Sequence, residues 1–235
     1  MLNEKEFPFL AEKGHIISLV GGGGKTTLLY AMAAHCARKG WRVLVMTTTH
    51  ILQPSAGLWA RNDAELAALW TAGRHAVAGA PAPENKLTLL PEPQRTAWIQ
   101  KADVVLIEAD GAKHHPCKVP AAHEPVLLPQ SDLVLAVAGL SAMERPLREV
   151  CFRWELALLR LPDTISESLV TPSLLAQLLT GAQGGRKLVG NRSFCIVLNQ
   201  ADTPERRYFG QQTQEILQKD GISCVLTQFE EGERA

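Results

Sequence analysis

Four consecutive glycines separate two apolar segments near the beginning of the sequence, and they are followed directly by Lys25, Thr26 and Thr27. Residues 15–20, before the glycines, are mostly apolar, which predicts a buried strand. Residues 26–39, after them, carry apolar side chains at spacings of three and four, which predicts a helix with one buried face. A glycine-rich turn at such a junction can direct several N–H groups and the positive end of the helix dipole at one anion. The segment therefore predicts a phosphate-binding loop.

The alternation of apolar strands and helices continues along the chain. Further strands, all expected to be buried on both faces, are predicted at 42–47, 103–109, 133–138, 194–198 and 222–226. Thr203 and Pro204 are a typical helix start and predict a helix to about residue 219, while the less regular stretch 54–92 contains a predicted helix at 63–72 and a strand at 75–78. This order predicts an α/β fold with a three-layer, mostly parallel sheet of the P-loop type. We expect one nucleotide-binding domain over residues 1–235, with a helical excursion at about 145–192.

Composition removes several classes of partner. The chain has 24 Lys and Arg residues against 24 Asp and Glu, so its net charge of zero offers no global attraction for nucleic acid or an anionic membrane. Aromatic residues make up only 6%, which argues against a platform for base stacking. No apolar run approaches the roughly 18–20 residues of a membrane-spanning helix, and the first residues lack the apolar core of a signal peptide. We expect a cytoplasmic protein with no nucleic-acid or membrane partner and with reduced cysteines.

The glycine loop is shorter than the standard phosphate loop. The pattern G-x-x-x-x-G-K-[ST] places its first glycine where this chain has Leu19, so the loop here reads G-x-x-G-K-T. This shorter loop resembles that of Mur-type ligases and is compatible with ATP or GTP. Lys25 is assigned to the terminal phosphates and the Thr26 hydroxyl to Mg²⁺. The loop residues assigned to nucleotide binding are Gly21, Gly22, Gly23, Gly24, Lys25, Thr26 and Thr27. The alternative is a glycine-rich turn that binds nothing.

Two carboxylates end the strand predicted at 103–109. Glu108 and Asp110 are two residues apart, so they project to the same face while the strand stays extended. An apolar strand that ends in a carboxylate is typical of the Mg²⁺-binding strand of phosphate-loop proteins. We assign Mg²⁺ to Asp110 together with Thr26, and placement of an attacking water to Glu108, which makes Lys25, Glu108 and Asp110 the catalytic candidates. The alternative is an ordinary strand-to-loop cap.

Asn199 and Asp202 follow the strand predicted at 194–198 and resemble the N-K-x-D element of GTPases. The Asp202 carboxylate could accept hydrogen bonds from the N1–H and the exocyclic amine of guanine, a donor pair that adenine does not present. Gln200 stands where that element has a lysine. The alternative is a loop in which Asp202 or Thr203 only caps the next helix.

Polar residues also follow the strand predicted at 42–47. In doubly wound sheets, ligands gather outside the carboxyl ends of the strands, so Thr47, Thr48, Thr49 and His50 could contact a phosphate or a metal. Alternatively, the threonines are strand formers that complete the strand.

His114, His115, Cys117 and His123 fall close together after the acidic strand end. Imidazole and thiolate are zinc or copper ligands, but the spacing matches no zinc motif. The preferred interpretation is a polar loop near the substrate, in which Lys113 and Lys118 could serve an anionic ligand.

Four segments in this order, VGGGGKTTLL, MTTTHI, LIEADGAKHHPCKVPAAHEPVLL and LNQAD, resemble the YqeC family, accessory proteins of selenium-dependent molybdenum hydroxylases. The resemblance covers nearly the whole chain, and residues 108–125 are its most specific part. It implies a P-loop nucleotide-binding protein linked to maturation of a selenium- or molybdenum-containing cofactor. It also implies substrate-binding or switch roles for Thr48, Thr49, His50, Lys118, His123 and Glu124. His114, His115 and Cys117 lie outside the family's pattern.

The residues and the resemblance together predict a Mg²⁺-dependent nucleoside triphosphatase that uses GTP in preference to ATP. The expected cofactors are Mg²⁺ and GTP or ATP, and the expected partners are a nucleoside triphosphate and a molybdenum hydroxylase client or cofactor precursor. Two alternatives use the same site: a nucleotide-gated chaperone without catalysis, and a kinase- or ligase-type transferase acting on a cofactor precursor.

Overall fold

The computed structural model describes residues 2–54 and 57–229. Twelve strands are present in that part of the chain: β1 Ile16–Gly21, β2 Val43–Thr47, β3 His50–Leu52, β4 Ala76–Ala78, β5 Ala80–Ala82, β6 Lys86–Thr88, β7 Val104–Glu108, β8 Cys117–Lys118, β9 Leu133–Gly139, β10 Cys151–Phe152, β11 Ser193–Asn199 and β12 Ser223–Leu226. The α-helices in the same residues are α1 Lys25–Arg38, α2 Asp63–Thr71, α3 Gln94–Lys101, α4 Leu147–Val150, α5 Trp154–Leu158, α6 Pro172–Thr180 and α7 Pro204–Lys219.

A central seven-stranded sheet has the order β12-β11-β9-β1-β7-β2-β4. Every neighbouring pair in it is parallel. The predicted α/β fold with a mostly parallel sheet is therefore confirmed. Strands β1 and β2 are joined through α1 but are not neighbours, because β7 lies between them. This crossover places the end of β7 directly beside the glycine loop.

Helices cover both faces of the sheet and produce three layers. Alternate apolar residues of the strands point to opposite faces, and α1 packs with the N-terminal segment on one of them. On the other face, α2 and α3 cover the end of the sheet near β4, and α6 and α7 cover the end near β11. The predicted helical excursion contains α4, α5 and α6. Their apolar side chains pack in the same core as α7, on the end of the sheet near β11. The single-domain organisation stays a prediction.

The structure differs from the sequence-based expectations at several places, which include the paired short strands β8 and β10. Strands β3, β6 and β5, none of which was predicted, form a small antiparallel sheet, with β3 just before the less regular stretch 54–92 and the other two within it. Helix α3 was not predicted. The expectation that the last strand is buried on both faces is wrong, because β12 is the edge of the sheet and only Val225 in it is buried. Within residues 2–54 and 57–229, no helix has the length and apolarity to cross a membrane.

Candidate phosphate-binding site

The candidate site lies at the carboxyl edge of the sheet, where four neighbouring strands end. Strand β1 runs between β7 and β9, and β11 follows β9. The glycine loop after β1 is therefore flanked by Glu108 at the end of β7 and by Gly139 at the end of β9. Asn199 ends β11 and reaches the same loop. This edge is where parallel α/β sheets bind their ligands.

Close packing of the backbone explains why the loop is made of glycine. Gly21 has a φ of 98°, and a Cβ there would lie 2.2 Å from the carbonyl oxygen of Val137. Gly23 has a φ of 71°, and its Cβ would lie 1.9 Å from the backbone nitrogen of Gly139. Both positions combine the left-handed region with contact against rigid backbone, so a side chain cannot be accommodated without moving a strand.

Protein acceptors take up three of the loop amides. The N–H of Gly21 donates to both oxygens of Asp110 at 3.1 Å, that of Gly22 to Val137 O at 2.9 Å, and that of Gly23 to His115 O at 3.0 Å. The hypothesis assigned phosphate contacts to all four glycines, whereas this geometry directs three of them to the protein. Helix α1 begins at Lys25 without a side-chain cap, so its first-turn N–H groups, which have no intrahelical partners, are the donors that an anion would meet.

Lys25 is the first residue of α1, and its side chain folds back over the loop. Its Nζ donates to Gly21 O at 2.5 Å and lies 3.1 Å from Asp110 Oδ1. The side chain is only 4% exposed. The loop thus holds the ammonium group within reach of the helix N-terminus.

Thr26 and Glu108 form the part of the site that fits a divalent cation. Thr26 Oγ1 donates to Glu108 Oε2 at 2.8 Å. Burial raises the pKa of Glu108 above its usual value, although the charge of Lys25 and the Thr26 hydroxyl act in the opposite direction. A hydroxyl and a carboxylate are oxygen donors of the kind that Mg²⁺ accepts, with waters and substrate phosphates completing its shell. The hypothesis paired Thr26 with Asp110, whereas the structure places Thr26 against Glu108.

Asp110 belongs to a series of charged groups, buried except for the partly exposed Arg153, that we call the charge chain: Lys25, Asp110, Lys118, Glu124 and Arg153. Lys118 Nζ lies 3.0 Å from Asp110 Oδ2 and 2.8 Å from Glu124 Oε2, and Arg153 Nη1 lies 2.5 Å from the same Glu124 oxygen. Burial acts to raise the pKa of Glu124, but the hydrogen bond and charge of Lys118, together with hydrogen bonds from Arg153 and the Ala121 N–H, outweigh it and hold that pKa below its usual value. The charge chain links the glycine loop to the start of α5.

The polar residues after β2 are mainly held by backbone partners. Thr47 Oγ1 donates to Glu108 O at 2.9 Å, and Thr48 Oγ1 donates to Val126 O at 2.7 Å. Thr49 O accepts from Thr88 Oγ1 at 2.9 Å. His50 is exposed and begins β3. These contacts tie β2 to β7 and to the small antiparallel sheet, and the switch roles assigned to Thr48, Thr49 and His50 stay predictions.

A pocket of about 230 Å³ adjoins the start of α1 on the β11 side. It is lined by Gly24, Thr27, Ser141, Asn199, Gln200, Asp202, Arg206 and Phe229. Asn199 Nδ2 donates to Gly23 O at 2.9 Å, and Asn199 Oδ1 accepts from Thr227 Oγ1 at 3.0 Å. Asn199 thus braces the glycine loop, while Asp202, with Arg206 Nη1 at 3.5 Å, lies on the pocket wall. A larger open groove of about 1400 Å³ runs along β12, away from the loop.

The histidines and cysteine after the acidic strand end lie in different environments. His114 and His123 are exposed, whereas Cys117 is buried and its thiol donates to Val150 O at 3.4 Å. His115 contributes its carbonyl oxygen to Gly23 and stacks against Phe152, with ring centroids 5.6 Å apart. Over residues 2–54 and 57–229, no group of three or more His, Cys, Asp or Glu side chains is arranged to hold a metal ion.

Sequence reasoning missed several residues of the site. Arg153, with a φ of 62°, ends the charge chain, and its guanidinium lies 4.3 Å from the Phe152 ring centroid. Ser141 donates to Gln200 Oε1 at 2.5 Å on the pocket wall. Neither lies in a recognisable motif, because both reach the site from the segments after β9. Gly139 could have been predicted as a residue of the site, since it ends an apolar strand as Gly21 does.

Comparison with known proteins agrees with the motifs. A family model described as "YqeC protein" matches residues 17–155, more than half of the chain. A protein of Escherichia coli (strain K12) with the name "Uncharacterized protein YqeC" is 37% identical over 139 residues, which cover 53% of this chain and 51% of that protein. The chain therefore spans about half the length of the curated relative that it matches. The family match includes the glycine loop, both carboxylates of the β7 end and the whole charge chain.

Proposed function

This chain belongs to the YqeC family, and we propose that it is a Mg²⁺-dependent nucleoside triphosphatase that uses GTP in preference to ATP. The observation that carries the proposal is the 2.8 Å contact between Thr26 Oγ1 and Glu108 Oε2. It brings a glycine loop, the start of a helix, a lysine and a carboxylate to one point of the sheet edge. This is the set of groups that phosphoryl transfer needs, because its catalysis is mainly positioning and charge neutralisation.

Each group of the site has a role in this proposal. The first-turn N–H groups of α1 and the Lys25 ammonium bind the phosphates. Thr26 and Glu108 would hold Mg²⁺, which supplies charge neutralisation at the phosphate oxygens when bound. Asp110, which the sequence assigned to the metal, instead faces Gly21, Lys25 and Lys118. We therefore move the metal-binding role from Asp110 to Glu108 and assign Asp110 to the placement of Lys25.

The preference for guanine is supported by the pocket beside α1. Asp202 lies on its wall, next to the brace that Asn199 makes with Gly23. A carboxylate at this place can accept from both N–H groups of guanine's Watson–Crick edge. Gln200, which replaces the usual lysine, turns its side chain to Ser141 on the same wall. The base would thus be read by Asp202, and Gln200 would shape the pocket.

Calorimetric titration with GTP, ATP and CTP tests the proposal. Lys25→Ala is expected to abolish measurable triphosphate binding, because Lys25 is the ammonium group that folds over the loop at the start of α1. The matched control is Lys219→Ala, which removes an exposed lysine at the end of α7. Unchanged affinity in Lys25→Ala would refute the assignment of the loop.

Thr26→Ala is expected to remove the strengthening of triphosphate binding by Mg²⁺, while Thr26→Ser, which keeps the hydroxyl, retains it. Titrations with and without Mg²⁺ measure the difference. Phosphorus NMR of the products then identifies the reaction. Free inorganic phosphate indicates hydrolysis, a phosphorylated acceptor indicates the transferase, and intact triphosphate indicates the chaperone.

The proposed biological role is maturation of a selenium- or molybdenum-containing hydroxylase cofactor, and it is supported by family membership alone. The proposed partner is a molybdenum hydroxylase or the precursor of its cofactor. Titration with molybdopterin-type dinucleotides, beside the simple triphosphates, tests this role directly. Binding of the triphosphates without any binding of the dinucleotides would favour a client protein over a cofactor precursor.

A further inference from the structure

Asp110 and a bound phosphate require the same ammonium group. Lys25 Nζ contacts Gly21 O at 2.5 Å and Asp110 Oδ1 at 3.1 Å. To neutralise a phosphate at the start of α1, this lysine has to exchange at least one of these contacts for the phosphate oxygen. The pair is almost completely buried, with 4% and 2% of the two side chains exposed, so water screens its attraction weakly. The contact therefore opposes phosphate binding.

The carboxylate of Asp110 is fixed in place. The N–H of Gly21 donates to both of its oxygens at 3.1 Å, and Lys118 lies 3.0 Å from Oδ2. These partners occupy the carboxylate from the side of the loop and from the side of β8. Asp110 consequently cannot follow Lys25 when that lysine turns toward another anion.

Lys118 determines how strongly Asp110 attracts Lys25, since the two lysines share one carboxylate. Lys118 is itself held by Gly111 O at 2.6 Å and by Glu124 Oε2 at 2.8 Å, and only 1% of its side chain is exposed. It remains beside Asp110 when Lys25 moves. Without it, the whole charge of Asp110 would act on Lys25.

We propose that Asp110 is a positioning residue that competes with the nucleotide phosphate for Lys25, and that Lys118 moderates this competition. The inference rests on the proposed function, because it takes Lys25 as the phosphate-binding cation. It has two consequences of opposite sign. Removing the charge of Asp110 frees Lys25 and strengthens phosphate binding, whereas removing the charge of Lys118 strengthens the Asp110–Lys25 pair and weakens phosphate binding. A role for Asp110 as a Mg²⁺ ligand requires the reverse sign for its own removal.

The test is calorimetric titration of the full chain with GTP and with inorganic tripolyphosphate, each with and without Mg²⁺. Asp110→Asn is expected to bind both probes about tenfold more tightly than the unaltered chain, a typical size for coupling between groups in one network. Lys118→Met is expected to bind them about tenfold more weakly. In Asp110→Asn/Lys118→Met, the loss caused by Lys118→Met should disappear, because its target carboxylate is gone.

Glu124→Gln is the matched control for charge. It removes a buried carboxylate that contacts Lys118, and it leaves the contacts of Lys25 unchanged. Its effect on affinity should be much smaller than that of Asp110→Asn, and the difference should persist at high salt, where long-range charge effects are screened. Equal gains in the two variants, or additive effects in the double variant, would overturn the proposal.

Thermal melts followed by circular dichroism establish which variants fold. If Asp110→Asn does not fold, the affinity of Lys118→Met for the two probes tests the inference by itself. Unchanged affinity in that variant overturns the inference. Different results refute the proposed function and the competition for Lys25. An unaltered chain that binds neither probe refutes the proposed function, whereas one that binds both, while Asp110→Asn binds no more tightly, refutes only the competition for Lys25.

Discussion

Glu108 and Asp110 show how neighbouring residues of one type acquire different roles. Both are buried at the end of β7, and from the sequence Mg²⁺ was assigned to Asp110 and an attacking water to Glu108. Glu108 accepts from a hydroxyl, whereas Asp110 lies between two ammonium groups and a backbone N–H. Their partners come from the glycine loop and from β8, so only the folded chain distinguishes the carboxylate that we propose for Mg²⁺ from the one that we propose for the placement of Lys25.

Asp202 allows a prediction about base recognition at the same scale. In Asp202→Asn, an amide N–H replaces one acceptor, so the pairing with the two guanine donors is lost and a donor faces the 2-position of the base. Xanthine carries an oxygen there. We expect GTP affinity to fall about tenfold to a hundredfold, in keeping with the loss of hydrogen bonds to a charged group, and XTP affinity to rise.

Parallel titrations with GTP, XTP and ATP measure this exchange. Asp163→Asn, an exposed carboxylate between α5 and α6, is the control and should leave all three affinities unchanged. Equal losses for GTP and XTP in Asp202→Asn would show that Asp202 does not face the base.

At the scale of elements, the glycine loop is fixed by the strands around it. Gly23→Ala places a Cβ 1.9 Å from the backbone of Gly139 at a positive φ, so β1 and β9 have to separate. We expect a loss of about 2–4 kcal/mol in the free energy of unfolding, typical of strain in tightly packed backbone. Urea denaturation measures it.

Gly40→Ala separates the two causes of that loss. Gly40 has a similar φ of 75°, but its Cβ would meet no atom within 4 Å. Its substitution should cost about 1–2 kcal/mol from the backbone conformation alone. Equal losses in the two variants would mean that contact between the loop and β9 contributes nothing.

The small antiparallel sheet shows where element prediction failed. Strands β3, β5 and β6 have three residues each, and Pro81 lies within one of them. Such segments are too short to give an alternating pattern, and a proline lowers the expectation of a strand. Their pairing depends on chain reversals that bring residues 50–52 against 86–88.

At the scale of the whole molecule, His75 makes stability depend on pH. Burial, aided by the charge of Arg74, lowers the pKa of His75 to about 4 from 6.5, and its buried Nε2 has no hydrogen-bond partner in the part of the chain that the structure describes. Above about pH 6.5 the imidazole is neutral in both the folded and the unfolded chain. As the pH falls from 6.5 toward 4, only the unfolded chain binds this proton, so the free energy of unfolding decreases.

The decrease attributable to His75 should be on the order of 1–3 kcal/mol between about pH 6.5 and 4. Urea denaturation at a series of pH values measures it. His75→Gln, which does not titrate, should reduce the slope, while His123→Gln, at an exposed histidine, should leave it unchanged. The same slope in His75→Gln and the unaltered chain would contradict the prediction.

The main strands and helices could be predicted because their pattern is local. Apolar runs and helical spacing indicated the strands of the central sheet, and the pair Thr203-Pro204 gave the start of α7, where the Thr203 side chain accepts from the Arg206 N–H. The exposed edge β12 could not be recognised, since its apolar residues resemble those of a central strand. Position in the sheet is decided by pairing, and pairing joins distant segments.

The sequence by itself determined the fold class, the glycine loop and the set of candidate groups, because backbone freedom, periodicity and residue chemistry are properties of short segments of the sequence. Only the tertiary structure decided which groups meet. The insertion of β7 between β1 and β2 brings Glu108 to Thr26, and the pairing of β8 with β10 brings Lys118 close to Arg153. These contacts join residues far apart in the chain, so their partners, and with them the role of each charge, follow from strand order and burial.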